Sequence, residues 1–202
     1  KIAKNADLLG NVNSVFFSPG ELRLIQDGPD ERRRFLNLSI SQLSRGYYTA
    51  LLRYNKILEQ RNALLKNRDV SLVLETLPVW DEQLCLYAAR VVCARADFTA
   101  RLASLAAEAH AYLTDGAERL SLGMDRVYEG DEAEVCARLQ REMSGAYEKD
   151  LRLGFTTVGP HRDDMRISIG ELDAKGYASQ GQARTAALAL KLAELEIFRE
   201  RA

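Results

Sequence analysis

Apolar residues recur along the chain at two different spacings, and the change from one to the other divides it into elements. From Arg45 to about Asn67, Tyr47, Leu51, Tyr54, Leu58, Arg61 and Leu65 step alternately by four and three. That is a heptad seam with one charge, Arg61, inside it. After a polar break at Lys66 to Asp69 and a short apolar piece, Val70 to Leu77, Pro78 is expected to open a second, longer helix. Its seam runs through Trp80, Leu84, Tyr87, Val91, Ala94 and Phe98, then Leu102, Leu105, Ala109 and Tyr112. Val79 to Leu113 then amounts to ~50 Å of helix at about 1.5 Å per residue. Two such helices with a short connection predict an antiparallel helical hairpin, with the seam aromatics, Tyr112 among them, in its core.

Shorter elements flank this pair. Val12 to Phe17 is a β-rich run ended by the turn Ser18-Pro19-Gly20. Asp27-Gly28-Pro29 opens a helix with Asp30 and Glu31 in its first turn and Phe35, Leu36 and Ile40 on its buried side. Asp115-Gly116 stops the long helix, and Leu120, Leu122 and Met124 alternate as in a strand. Glu129-Gly130-Asp131 leads into a helix from about Glu132 to Leu153, with Val135, Leu139, Met143 and Tyr147 inward and Glu142, Glu148 and Asp150 outward. Gly154 is a plausible residue to end it. Phe155 to Val158 and Met165 to Ile169 read as strands. The final helix carries a stripe of Leu188, Leu192, Leu195 and Phe198. Lys1 to Leu9 completes no element and reads as the tail of something earlier.

With 202 residues, 47 % apolar and 28 % charged, the chain has the composition of a folded globular protein. A net charge of −1 gives no global basic field, so any nucleic-acid contact must come from local patches. No apolar run reaches the ~18 residues of a membrane span, and a cytoplasmic protein without membrane partners is expected. Cys85, Cys93 and Cys136 lack metal-ligand spacing and read as reduced, core-filling thiols.

Candidate chemistry gathers at Ser179-Gln180-Gly181-Gln182, where the last helix begins. Ser179 is a good N-cap, and Gly181 leaves the backbone open to a bulky anion at the positive end of the helix dipole. The same residues also describe an ordinary capped core helix. Arg32-Arg33-Arg34 is either a solvated face with nearby carboxylate partners or a phosphate contact. In Gly159-Pro160-His161-Arg162-Asp163-Asp164, one aspartate can pair with Arg162 in a tight loop, and a single His without a spaced partner is a poor metal site. His110 has no partner at ligand spacing and reads as a surface or core histidine.

Together, Val15-Phe16-Phe17-Ser18-Pro19-Gly20-Glu21-Leu22 with Pro29 to Leu36, the Gly159 to Asp164 block, and Ser179 to Gln182 resemble the RecF family. These are DNA-gap repair ATPases related to SMC proteins and ABC transporter motors. Gly20 stands where that family usually carries an acidic residue, and Ala183 where a second Gln is common. The resemblance implies a mixed α/β, predominantly helical fold. Residues 1–26 and 154–202 would belong to an ABC-type ATPase lobe, and 27–153 would form an inserted antiparallel helical arm. Ser179, Gln180, Gly181 and Gln182 become the signature motif, which contacts ATP held by a second copy of the chain. Ser18, Pro19, His161, Arg162 and Asp163 become nucleotide or dimer-interface residues, and Arg32, Arg33 and Arg34 candidates for DNA contact.

The pattern Gly-x-x-x-x-Gly-Lys-Ser/Thr does not occur in the sequence, nor does a Walker B strand. The resemblance therefore implies an internal segment of a longer protein, without catalytic residues of its own, whose parent uses ATP and Mg²⁺. The implied partners are gapped or junction DNA, a second copy in an ATP-dependent homodimer, RecR and RecO, and functionally RecA. The alternative is a non-enzymatic helical scaffold, in which the heptad helices bind a protein and Ser179 only caps a helix.

Overall fold

In a computed structural model, residues 13–201 are described. They comprise a 3₁₀ turn Pro19–Leu22, α1 Arg23–Gln26, α2 Pro29–Leu43, α3 Arg45–Leu64, α4 Val70–Leu113, β1 Leu120–Met124, α5 Glu132–Gly145, α6 Tyr147–Leu153, β2 Met165–Ile169, β3 Leu172–Asp173, α7 Ala174–Tyr177 and α8 Gln180–Glu200. The expected tail Lys1 to Leu9, and Val12, lie outside the described residues. The chain is predominantly helical with one small antiparallel sheet, and it divides into two compact units. Among the described residues, one comprises residues 13–45, 95–126 and 163–201, the other 46–94 and 127–162. The helix α4 contributes its first part to the second unit and its last part to the first.

Several boundaries differ from expectation. Pro78 lies inside α4, which starts eight residues earlier. The start signal is Asp69, whose carboxylate accepts from Leu72 N at 3.1 Å and caps the first turn. The 44-residue α4 is therefore about 66 Å long. Its buried side continues through Leu102, Ala106 and His110, each a step of four, so Tyr112 faces outward with 85 % exposure instead of entering a core. The helix after Asp131 is broken at Ala146 into α5 and α6. Gly154 ends α6 in the left-handed conformation, φ 71°. Residues 13–18 form no strand, and neither do 155–158.

In the second unit, Tyr54 and Ile57 of α3, Leu84, Cys85, Ala88, Ala89 and Val92 of α4, and Val135, Leu139 and Met143 of α5 share one core. Burial pushes the Cys85 thiol up to about 12. The seam charge, Arg61, is wholly buried beside this core. Its Nε donates to Asp81 Oδ1 at 2.6 Å, and its Nη1 to Asp150 Oδ2 at 2.7 Å and Thr156 Oγ1 at 2.8 Å. Burial opposes the charge, but the hydrogen bonds and field of Asp81 and Asp150 outweigh it and hold the guanidinium above its ordinary range. Asp150, expected outside, is thus a core residue. Its other oxygen accepts from Thr157 N at 2.9 Å, while Asn62 Oδ1 accepts from Thr156 N at 2.8 Å. Side chains satisfy the backbone here, which is why an apolar β-rich run does not become a strand.

In the first unit, β1 and β2 pair antiparallel with Leu120 opposite Ile169 and Met124 opposite Met165, and β3 adds to the far edge of β2. Met165 and Ile167 turn one face inward. The helix α8 buries Ala183, Ala186, Ala187, Leu190, Ala193, Ile197 and Phe198. The expected stripe is correct only at Phe198, because Leu192 and Leu195 are exposed and Leu188 is half-buried. Ser39 of α2 donates to Glu194 Oε1 of α8 at 2.6 Å, Lys191 pairs with Glu194 at 2.5 Å, and the Lys191 ammonium sits 5.4 Å from the Phe35 ring centre.

Removing Arg61 leaves two buried carboxylates without their counter-charge. Arg61→Met is expected to cost about 3–5 kcal/mol in urea unfolding. Adding Asp81→Leu and Asp150→Asn should recover most of that loss, because the buried charge is then gone and Asn still accepts from Thr157.

Candidate functional site

The first turn of α8 is closed by a reciprocal capping box. Ser179 Oγ accepts from Gln182 N at 3.2 Å, and Gln182 Oε1 accepts from Ser179 N at 2.8 Å. Gln182 Nε2 donates in turn to Glu118 Oε1 at 2.7 Å. Ser179, Gln180 and Gly181 are exposed. A Cβ built on Gly181 would meet only Ser179 Oγ, at 3.9 Å. The fold therefore does not need glycine there, although glycine costs a helix interior about 1 kcal/mol relative to alanine. Among the described residues, the backbone N–H groups of Gln180 and Gly181 have no partner, beside the positive end of a 21-residue helix.

The Ser18-Pro19 turn lies next to the same helix. A groove of about 430 Å³ is lined by Phe17, Ser18, Glu21 and Leu22 on one side and by Arg184, Thr185, Ala187 and Leu188 on the other. Two blocks far apart in sequence thus meet beside the capped turn.

The Gly159 to Asp164 block is divided between the two units. In the second unit, Tyr54 Oη and His161 Nδ1 are 2.5 Å apart, and His161 Nε2 faces Thr156 O at 3.0 Å. Gly159 has φ 128°, and a Cβ there would lie 2.6 Å from Tyr54 Oη, so both its conformation and its neighbour require glycine. Arg162 donates to Thr156 O at 3.2 Å and lies 4.7 Å over the Phe155 ring centre; the expected pairing with Asp163 or Asp164 is not formed. In the first unit, Asp164 instead accepts both arms of Arg32, at 2.7 and 2.8 Å. Its backbone N donates to Asp125 Oδ1 at 2.7 Å.

Asp163 is 2 % exposed, and its Oδ1 has no hydrogen-bond partner among the described residues. Burial raises its carboxyl to about 6, with Asp125 adding to the rise and Arg95, Arg126 and Arg33 opposing it.

Of the three consecutive arginines, Arg32 is buried and committed to Asp164, Leu24 O and Asp27 O. Arg33 donates to Asp163 O at 2.7 Å and pairs with Asp30 at 2.5 Å. Arg34 is exposed. His110 lies in the core, its Nδ1 3.3 Å from Glu118 O. Among the described residues, no three His, Cys, Asp or Glu side chains converge as a metal site, and no helix is long and apolar enough to cross a membrane. Sequence reasoning missed Glu118 and Asp125. Each acts on a residue many positions away and carries no local signal.

No family model matches the chain. A curated relative from Alkaliphilus oremlandii, described as DNA replication and repair protein RecF, is 43 % identical over 98 % of the chain and 55 % of the relative. One with the same description from Lachnoclostridium phytofermentans is 42 % identical over 98 % and 54 %. A solved structure of the recombination mediator protein RecF-ATPrS in the RecFOR pathway superposes over the whole chain with TM-score 0.90 at 33 % identity, covering 55 % of that structure's chain. The corresponding RecF-ATP structure superposes over 96 % with TM-score 0.86 at 35 % identity, covering 53 % of that structure's chain. The chain belongs to the RecF family. It spans about half the length of the curated RecF relatives it matches. The mainly helical fold with a small antiparallel sheet is the one found in RecF, an ABC-ATPase-like fold.

The buried Asp163 carboxylate predicts a pH effect. Its folded value is above the unfolded value near 3.8, so its penalty on stability is absent below that pH, grows as pH rises to about 6, and stays full above. Asp163→Asn should therefore raise unfolding stability at pH 7.5, by up to about 3 kcal/mol, and by only about a third of that at pH 4.5. A gain of equal size at both pH values would exclude this account.

Proposed function

We propose that the full-length protein is a RecF-type, ATP-dependent DNA-binding protein of recombinational gap repair, and that Ser179 to Gln182 is its signature motif. ATP and Mg²⁺ would sit on the P-loop of one copy, with Ser179 Oγ and the Gln180 and Gly181 N–H groups of a second copy facing the γ-phosphate. ATP would close the homodimer on DNA at single-strand gaps or junctions, and hydrolysis would release it. RecR and RecO would be the partners, and loading of RecA the outcome, in the cytoplasm. What carries this reading is the solvent-facing capped turn at Gly181, a glycine that the chain's own packing does not call for.

Ser18, which lines the groove beside α8, and Pro19 next to it in the chain would follow the nucleotide state, and His161, Arg162 and Asp163 would belong to the nucleotide or dimer face. For DNA, Arg34 is the candidate with an open guanidinium, and Arg32 and Arg33 would act by holding the Asp163-Asp164 segment.

Ser179→Arg in the full-length protein tests the reading. The substitution should abolish ATP-dependent dimerisation and DNA-stimulated ATP hydrolysis, while ATP binding to the monomer's own P-loop stays within about twofold. Dimerisation and turnover at natural levels would reduce Ser179 to a helix cap and favour the helical scaffold.

A further inference from the structure

Glu118 lies between the end of α4 and the start of β1, 64 residues from the turn it touches. We propose that Glu118 is a positioning residue of the signature turn, one that fixes the orientation of the Gln182 amide. This rests on the reading of Ser179 to Gln182 as the signature motif.

A glutamine amide has one accepting end and one donating end, and here both are assigned by chemistry. The Ser179 N–H can only donate, so the end 2.8 Å from it is Oε1. The Glu118 carboxylate accepts, so the end 2.7 Å from it is Nε2. A flipped amide would set N–H against N–H on one side and oxygen against oxygen on the other. Hydrogen bonds to a carboxylate are about twice as strong as neutral ones. Donation through Nε2 also polarises the amide and strengthens Oε1 as the acceptor for Ser179.

Glu118 is itself held. Its carbonyl oxygen faces the buried His110 Nδ1 at 3.3 Å, Thr114 Oγ1 donates to His110 O at 2.8 Å, and β1 begins two residues later. The anchor therefore runs from the last turn of α4 through Glu118 to the first turn of α8.

The consequence is a fixed division of donors. The box consumes the N–H groups of Ser179 and Gln182. It leaves the N–H groups of Gln180 and Gly181, and the Ser179 hydroxyl hydrogen, for an incoming phosphate. The Ser179 oxygen already spends a lone pair on Gln182 N, which leaves its hydrogen free to donate outward. A turn locked in advance presents these donors without reorganising when the phosphate arrives.

The test is ATP-dependent dimerisation of the full-length protein. Glu118→Ala should raise the ATP concentration at half-maximal dimerisation about tenfold, the loss expected for one hydrogen bond to a charged group. Glu118→Gln, whose side-chain oxygen accepts the same bond, should stay within about twofold. ATP binding to the monomer should not change in either variant. Gln182→Ala, which also loses the bond from Ser179 N, should lose at least as much as Glu118→Ala, and adding Glu118→Ala to it should change nothing further.

A dimerisation curve of natural midpoint for Glu118→Ala would overturn the proposal, as would equal losses for the Gln and Ala variants or additive losses in the double variant. Should Glu118→Ala melt early, the comparison in the Gln182→Ala background decides, because a purely structural role would weaken that variant too. Ser179→Arg separates the two readings. If it blocks dimerisation and Glu118→Ala does not, only the role of Glu118 fails; if neither acts, the signature reading fails with it.

Discussion

A guanidinium without access to water is the fixed point of the second unit. Arg61 on α3 meets Asp81 on α4 and Asp150 on α6, both as dry as itself. One positive charge faces two negative ones. Asp150 also accepts from Thr157 and Arg61 donates to Thr156, while Arg61 Nη2 and Asp81 Oδ2 are buried without a hydrogen-bond partner among the described residues. The same bonds tie down residues 155–157, and the Gly159 turn and His161 follow from there. Burial pushes the Tyr147 hydroxyl up to about 12, with the neighbouring Asp81 carboxylate adding to the rise. Apolar packing alone would let three helices slide; the charges set one register.

The first unit solves a similar problem with pairs. Arg32 and Asp164 form a two-armed contact between α2 and the entry to β2. Glu194, buried on α8, is matched by Lys191 one turn earlier and by Ser39 across the interface. Each polar group replaces lost water with a specific partner, and each partner lies on another element or turn. His110 Nε2 and Asp163 Oδ1 are exceptions, buried without a hydrogen-bond partner among the described residues. Asp163 is buried among Arg33, Arg95 and Arg126, but Asp125 is also near, and its carboxyl is left where the charged form is disfavoured.

Local patterns gave most helices, β1, β2, the Ser179 cap and the Gly154 stop, because periodicity and capping are written within a turn or two. Two kinds of feature were not legible. The first is backbone whose partners are side chains elsewhere, as at Thr156 and Thr157, where Asn62 and Asp150 replace a strand neighbour. The second is a choice of face. Leucines at Leu192 and Leu195 suggested the buried side of α8, yet alanines hold it. Asp150 shows the same limit: a carboxylate on a helix looks solvated until the arginine that meets it, 89 residues away, is known. The candidate turn itself was visible, but the residue that holds it, Glu118, was not.

The alanine face explains how that hold is possible. Toward its start, α8 turns Ala183, Ala186 and Ala187 inward; toward its end it turns Ile197 and Phe198. Small side chains let a helix approach its neighbours closely, whereas large ones hold it further off. In that first turn the Gln182 side chain reaches Glu118, in the segment before β1, at 2.7 Å. Leucine in place of Ala183 or Ala186 would add buried apolar area and still work against this geometry, because the extra volume would lift the first turn away. Small buried side chains at the start of α8 thus go together with a solvent-facing first turn.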